Sequence, residues 1–240
     1  MRFLVKLETA SGKEAKIDID YRRRFISFLK KVFGPEYFSV DSTKPYTFAV
    51  YFGKNSKFKD GFIHNVSKIN FRFSTGDMDT AIKFYNGILK LKKVDFNQKI
   101  GTEGFRISWI KEEKEKRPNG YFKVLSPVVI ERIGFENSKD PEDRYITPEE
   151  PGFEESVMEN LIRRYEMIKG ESFKVKNFKF VPIRVRKEFV KHYGGLIKCF
   201  IGKFYIDTDS NELLDFIYKY GLGLRTGQGF GYLEVEDEKA

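Results

Sequence analysis

Three sets of residues have types and spacing on which chemistry can be built. Near the C-terminus, Gly221-Leu-Gly-Leu-Arg-Thr-Gly-Gln-Gly-Phe-Gly231 carries Gly221, Gly223, Gly227, Gly229 and Gly231. Glycine at that density signals backbone at positive φ, or backbone that something approaches closely. Arg225, Thr226 and Gln228 are its polar side chains, and with the neighbouring N–H groups they suit an anion-binding nest. The bland alternative is a loop that packs tightly between helix and sheet. The second set is Lys30 to Lys44, where Lys30, Lys31, Tyr37, Asp41 and Lys44 offer proton-transfer and charge-neutralising groups but no histidine. The third set is cationic. Arg22, Arg23 and Arg24 open a helix, either as a nucleic-acid contact or as a solvated face. Arg184, Arg186 and Lys191 alternate with Ile183, Val185 and Val190. With a register shift near Lys187-Glu188 they share one strand face, where like charges repel unless an anion sits among them.

Other residues exclude more than they suggest. His64 and His192 lie in or just past strands, where a lone imidazole is more often structural than chemical. The glycine loop follows a helix and precedes a strand, and it lacks the Gly-Lys-Ser/Thr ending. Dinucleotide and P-loop fingerprints run in the opposite order, so both readings fail on context. The single cysteine, Cys199, rules out an internal disulfide and any cysteine-built zinc cluster, which points to a cytoplasmic setting. No metal-ligand cluster and no cofactor fingerprint is present. No apolar run approaches the ~20 residues that span a bilayer. The 240 residues carry 44 Lys+Arg against 35 Asp+Glu, a net charge of +9. Together with 25 Phe and 13 Tyr, that balance favours an RNA partner, because aromatic and cationic side chains suit unpaired bases and phosphates.

The elements that must position these groups follow from periodicity. Strand Arg2 to Glu8, a helix over Tyr21 to Phe33 with Asp20 as N-cap, and strands Tyr46 to Phe52 and Lys68 to Ser74 come first. An additional strand at Gly61 to His64, a helix from Asp77 or Asp79 to about Lys90, and strand Lys99 to Ile110 follow. Charged residues from Lys111 to Arg117 mark a linker. The second half predicts strand Tyr121 to Ile130, an exposed loop over Glu136 to Gly152 and helix Phe153 to Lys169. Strands Ser172 to Phe180, Ile183 to Lys191 and Leu196 to Asp207 come next. A helix capped by Thr208 or Asp209 then leads through the glycine loop to a last strand. Both halves therefore read as βαββαβ, the second with one strand extra. The expectation is an α+β chain of two tandem ferredoxin-like domains, 1–115 and 119–240.

This element order, the Met1-Arg-Phe-Leu start, Lys44-Pro-Tyr-Thr-Phe48, Leu125-Ser-Pro-Val-Val-Ile130 and Gly-x-Gly-Phe-Gly at 227–231 resemble the RAMP superfamily. Within it the chain is most similar to the CRISPR repeat-RNA-processing endoribonucleases. The resemblance implies binding of CRISPR repeat RNA in a basic cleft and metal-independent cleavage. In that chemistry the ribose 2′-OH attacks the adjacent phosphate, leaving a 2′,3′-cyclic phosphate and a 5′-OH. It further implies a general-base histidine in or just after the first helix, with a tyrosine and a lysine nearby. Here Phe38 falls where that histidine is expected, Lys44 matches the lysine, Tyr37 stands near the phosphate, and Lys30 or Lys31 replaces the tyrosine. Loss of a general base lowers a rate on the order of 10²–10⁴-fold, so weak or absent cleavage is expected. Two other readings stay open: a non-catalytic RAMP subunit working beside other CRISPR-associated proteins, and a generic RNA-binding protein. A homodimer is also open.

Overall fold

The computed structural model describes residues 1–39 and 42–237, so Asp41 lies outside the described residues. Along β1 (Arg2–Thr9) alternate side chains Phe3, Val5 and Leu7 are buried. Then come β2 (Ala15–Asp18), α1 (Arg22–Phe33), β3 (Thr47–Tyr51), β4 (Lys57–Lys59), β5 (Phe62–Val66) and β6 (Lys68–Ser74). The unit finishes with α2 (Met78–Lys93), β7 (Asn97–Ile100) and β8 (Glu103–Glu113). Its main sheet runs β3-β6-β1-β8-β7, and every pairing is antiparallel. The additional strand expected at Gly61 to His64 is β5, in a small side sheet with β2 and β4.

Helix α1 buries Phe25, Phe28, Leu29 and Val32, the positions that its three- and four-residue spacing assigns to one face. The expected cap at Asp20 is not one. Tyr21 is the N-cap and has no side-chain cap bond, while the buried Asp20 carboxylate accepts from Tyr193 N–H at 3.2 Å. Helix α2 is capped by Asp77, whose Oδ2 accepts from Thr80 N–H at 2.8 Å. Rings from both helices and the sheet fill this core, as in the Phe73–Phe84 stack at 3.9 Å. Burial of each such ring contributes roughly 1.5–3 kcal/mol.

The second unit is β9 (Tyr121–Val124), β10 (Ile130–Glu131), α3 (Pro141–Arg144), β11 (Tyr145–Ile146), α4 (Phe153–Lys169), β12 (Phe178–His192), β13 (Gly195–Thr208), α5 (Asn211–Tyr220) and β14 (Leu233–Val235). Its sheet order, β12-β13-β9-β14, has the same connectivity as the first unit's β3-β6-β1-β8. Two ferredoxin-like units therefore stand in tandem. Three expectations change. The extra strand disappears, because the two segments around Val181 form one fifteen-residue strand bent by a register shift between Pro182 and Arg184. Proline at 182 lacks the N–H that a regular ladder needs, which accounts for the break. The stretch Glu136 to Gly152 is not wholly exposed loop, because β11 pairs with β10 and Tyr145, Ile146 and Thr147 are buried. The cap of α5 is Ser210, whose Oγ accepts from Leu213 N–H at 3.1 Å, rather than Thr208 or Asp209.

The units are joined by buried polar contacts. Arg2 donates to Tyr232 Oη at 3.0 Å and to the Leu233 carbonyl at 2.8 Å, between the rings of Tyr218 and Tyr232. Thr47 Oγ1 donates to the Phe230 carbonyl at 2.8 Å, and Ser74 Oγ to the Lys219 carbonyl at 2.9 Å.

Candidate nucleic-acid interface

The glycine loop leaves α5 at Gly221 and immediately meets the first unit. Arg164, buried on the apolar face of α4, caps it from below. Its guanidinium donates to the carbonyls of Tyr220 at 2.9 Å and Gly221 at 2.8 Å, and to Thr226 Oγ1 at 3.1 Å. The two carbonyls are orphan acceptors of a helix C-terminus, where a cation is favoured. Burial pushes the Arg164 guanidinium down to about 10, which still leaves it charged at neutral pH. Gly229, at φ +87, abuts Phe48, whose ring carbons would lie 2.5 Å from a Cβ there. Leu222, Leu224, Gln228, Gly229 and Gly231 donate their N–H groups to backbone carbonyls. Most of the expected nest is thus occupied internally, and the loop acts first as a wedge between the units.

That wedge forms one wall of a cleft of about 490 Å³. Phe38, Lys44 and Tyr46 line it from the first unit. Glu131, Arg144, Arg163, Arg164, Arg225, Thr226 and Gln228 line it from the second. Among the described residues five cations and one carboxylate line it: Glu131 lies 2.9 Å from Arg144 and 3.7 Å from Arg163, which also pairs with Glu159 at 3.6 Å. Arg164 and Arg225 pair with no carboxylate among the described residues. Tyr46 Oη is buried without a hydrogen-bond partner among the described residues, and burial raises its phenol well above the ordinary range. An electropositive cleft with an unsatisfied hydroxyl suits a phosphate group. A larger cavity of about 710 Å³ lies between the open faces of the two sheets. Among the described residues six cations and four carboxylates line it, with Arg72 at 3.1 Å from Glu113 and Arg2 at 3.3 Å from Glu234, so its excess of cations is smaller. The smaller cleft is therefore the better anion site.

The residues singled out from sequence divide accordingly. Lys44 faces the cleft, donates to the Tyr37 carbonyl at 3.1 Å and to Ser42 Oγ at 3.4 Å, and lies 5.5 Å from the Phe38 ring centre. Phe38 is half-buried and separates this cleft from a hollow that holds Lys30 and Lys31. Tyr37 does not line the cleft. Its ring stacks on Phe33 at 4.3 Å, its hydroxyl meets Thr80 Oγ1 at 3.3 Å, and burial raises its phenol. Arg22 is not a surface cation. It is buried over the Phe230 ring and donates to the Gly229 carbonyl at 3.0 Å, because its side chain is drawn inward by the wedge. Arg23 and Arg24 are exposed, the former 3.6 Å from Asp20.

On β12 a single register shift, at Pro182/Arg184, leaves Arg184 and Arg186 on one face and Lys191 on the other. The three do not form one cationic face, because no second shift occurs near Lys187. Arg186 is paired with Glu188 at 2.9 Å. Thr226 is buried beneath Arg164 and is not an exposed contact. Gln228 accepts from Arg225 at 3.3 Å and pairs with His192 Nε2 at 2.9 Å. That pairing fixes His192 as a buried support for the cleft wall, and burial lowers its imidazole. Sequence reasoning missed Tyr46, Arg144, Arg163 and Arg164. Only Arg164 carried a signal, as a cation in the stripe Phe153, Val157, Leu161 and Tyr165.

The family model described as CRISPR associated protein Cas6, C-terminal, matches residues 110–235. A CRISPR-associated endoribonuclease-like protein Cas6 of Pyrococcus furiosus is 29% identical over 151 residues, 59% of this chain and 58% of that protein. A relative named Cas6nc, from Pyrococcus horikoshii, is 30% identical over 145 residues, 57% of each. The aligned region thus spans little more than half the length of these relatives. Among solved structures, one described as an RAMP protein binding different RNA substrates superposes with a TM-score of 0.83 at 23% identity, covering 99% of this chain and 100% of that one. At that identity it speaks for the fold. The family match covers more than half of the chain, and the chain belongs to the Cas6 family of CRISPR-associated proteins.

Proposed function

We propose that this chain binds CRISPR repeat RNA, with a backbone phosphate seated between Lys44 and the Arg225–Gln228 wall. The observation that carries the reading is that Arg164 and Arg225, which pair with no carboxylate among the described residues, line one cleft with Tyr46, whose hydroxyl has no hydrogen-bond partner among them. Exposed Arg23, Arg24, Lys30, Lys31 and Arg184 extend the path for the RNA backbone. The aligned relatives carry endoribonuclease-like Cas6 names, which supports a CRISPR RNA as the partner.

Cleavage by this chain is slow or absent. For the 2′-OH to attack phosphorus, a base must take its proton, and the leaving 5′-oxygen must gain one. Lys44 offers a cation for the crowded phosphate, but no imidazole faces the cleft. Tyr37 and Tyr46 are both raised by burial, so neither phenolate is populated near neutrality. This chemistry uses the RNA's own hydroxyl and draws on no metal ligand set. The same missing base favours, as a second reading, a non-catalytic RAMP subunit that holds RNA for other CRISPR-associated proteins in the cytoplasm. End-labelled repeat RNA incubated with the protein in EDTA separates the readings. A retarded, intact band identifies a binder, and a slow 2′,3′-cyclic-phosphate product identifies an inefficient enzyme. Equal retardation of a scrambled sequence would remove the repeat from the proposal.

A further inference from the structure

The hairpin that joins β12 to β13 turns on a residue that its geometry does not call for. His192 pairs with Gly195, so Tyr193 and Gly194 alone make the turn, at φ +49 and +82. Positive φ at both positions is the type I′ pattern, which Asn-Gly or Asp-Gly fills without strain and a bulky side chain does not. Five non-glycine residues among the described ones have positive φ, and three of them, Asp60, Asn65 and Asp95, are of types that tolerate it. The other two are Tyr193 and Arg225. Both line the cationic cleft, and both also line a second hollow of about 620 Å³ that adjoins it, beside Asn137, Lys139 and Arg144. Strain gathered at one rim points to a use for the side chains that the backbone has to bear.

Tyr193 is held still yet left open. Its N–H donates to the buried Asp20 carboxylate at 3.2 Å, and its ring meets the buried His192 ring edge-on at 4.6 Å. His192 is itself fixed by Gln228 and packs edge-on against Phe230, so the three rings form a series from the core to the surface. At 60% exposure, Tyr193 is the member of that series open to a ligand. A fixed aromatic ring beside cations is what an unpaired base stacks on, and immobility before binding keeps the entropic cost low. We infer that Tyr193 is a base-stacking platform: the nucleotide next to the phosphate held in the cleft lays its base on the Tyr193 ring, at the mouth of the second hollow. The inference rests on RNA binding at the cleft, and adds that this nucleotide is unpaired.

Titration of labelled repeat RNA, intact or with single abasic positions, against the full chain and its Tyr193 variants tests this. Tyr193→Asn suits the turn better than the native residue, so a thermal midpoint no lower than wild type shows an intact fold. The expected result is a repeat-RNA affinity about tenfold or more weaker in that variant and recovered by Tyr193→Phe, with an unchanged salt slope because no cation is lost. One abasic position weakens wild-type binding by a similar factor and costs Tyr193→Asn nothing further, as the two halves of a single contact do. Undiminished binding of the intact RNA by Tyr193→Asn overturns the inference and leaves RNA binding at the cleft standing. A Tyr193→Asn loss that is equal for intact RNA and for every abasic RNA also overturns it, since Tyr193 then only shapes the wall. A wild-type chain that binds no repeat RNA overturns the cleft's RNA reading, and the inference with it.

Discussion

Replacing Gly229 by alanine separates the wedge role of the glycine loop from a role as ligand cradle. Gly229 sits at φ +87, where an L-residue loses roughly 1 kcal/mol. The added Cβ also falls 2.5 Å from Phe48 Cε2 and 2.7 Å from Cζ. Phe48 is fully buried and packs on Phe71 at 5.2 Å, so its ring has little room to retreat. Overpacking of that kind adds about 1–3 kcal/mol, for a total near 2–4 kcal/mol. Gly170 supplies the control. It has φ +74 at the end of α4, and an added Cβ there meets nothing within 4 Å. Gly170→Ala carries the conformational cost alone, about 1 kcal/mol. For a chain of this size each kcal/mol lowers the thermal midpoint by about 2–4 °C. Calorimetry should therefore show Gly229→Ala melting several degrees below Gly170→Ala. Equal midpoints would refute the wedge and return the loop to its reading as a free backbone cradle.

Phe38→His should raise single-turnover cleavage of repeat RNA in EDTA by about 10²-fold or more, with a rate that climbs as the imidazole deprotonates. No gain with RNA binding intact would show that position 38 does not address the 2′-OH. Lys44→Ala should weaken RNA binding and reduce the slope of log affinity against log salt by about 0.7, the share of one phosphate contact on a single strand. An unchanged slope would take Lys44 off the backbone. Burial holds His192 below its ordinary value of 6.5, with Gln228, Asp20, Arg22 and Arg225 facing it. The unfolded chain therefore takes up the proton first, and stability should fall as pH drops below about 6.5 until the folded imidazole is protonated as well. Urea midpoints between pH 7.5 and 5.5 check this, and His192→Gln should flatten that part of the profile; an identical fall in both proteins would refute it.

The fold was legible because helices such as α1 carry an apolar stripe at three- and four-residue spacing and strands such as β6 and β7 alternate. Where the sequence misled, a specific contact overrode local pattern. Pro182 looked like a boundary between two strands, yet a long hairpin absorbs it as a bulge. Arg22 looked like its neighbours Arg23 and Arg24, and only the distant Gly229 carbonyl and Phe230 ring make it an interior residue. The site was half visible. Lys44 and Arg225 each stood out, but nothing local says that they face one another, since that depends on how the two units dock. Arg144 and Arg163 were invisible for the same reason.

The lock between Arg2 and Tyr232, Leu233 and Glu234 bears on how the molecule is made. The guanidinium leaves the ribosome 230 residues ahead of its hydroxyl partner on Tyr232. Until its partners arrive, the first unit must carry an unsatisfied cation at its future seam. Docking of the halves then waits for β14, and it requires contacts more than two hundred residues apart. The cleft exists only after that event, so a nascent or truncated chain holds every cleft-lining side chain of its first unit and still has no cleft.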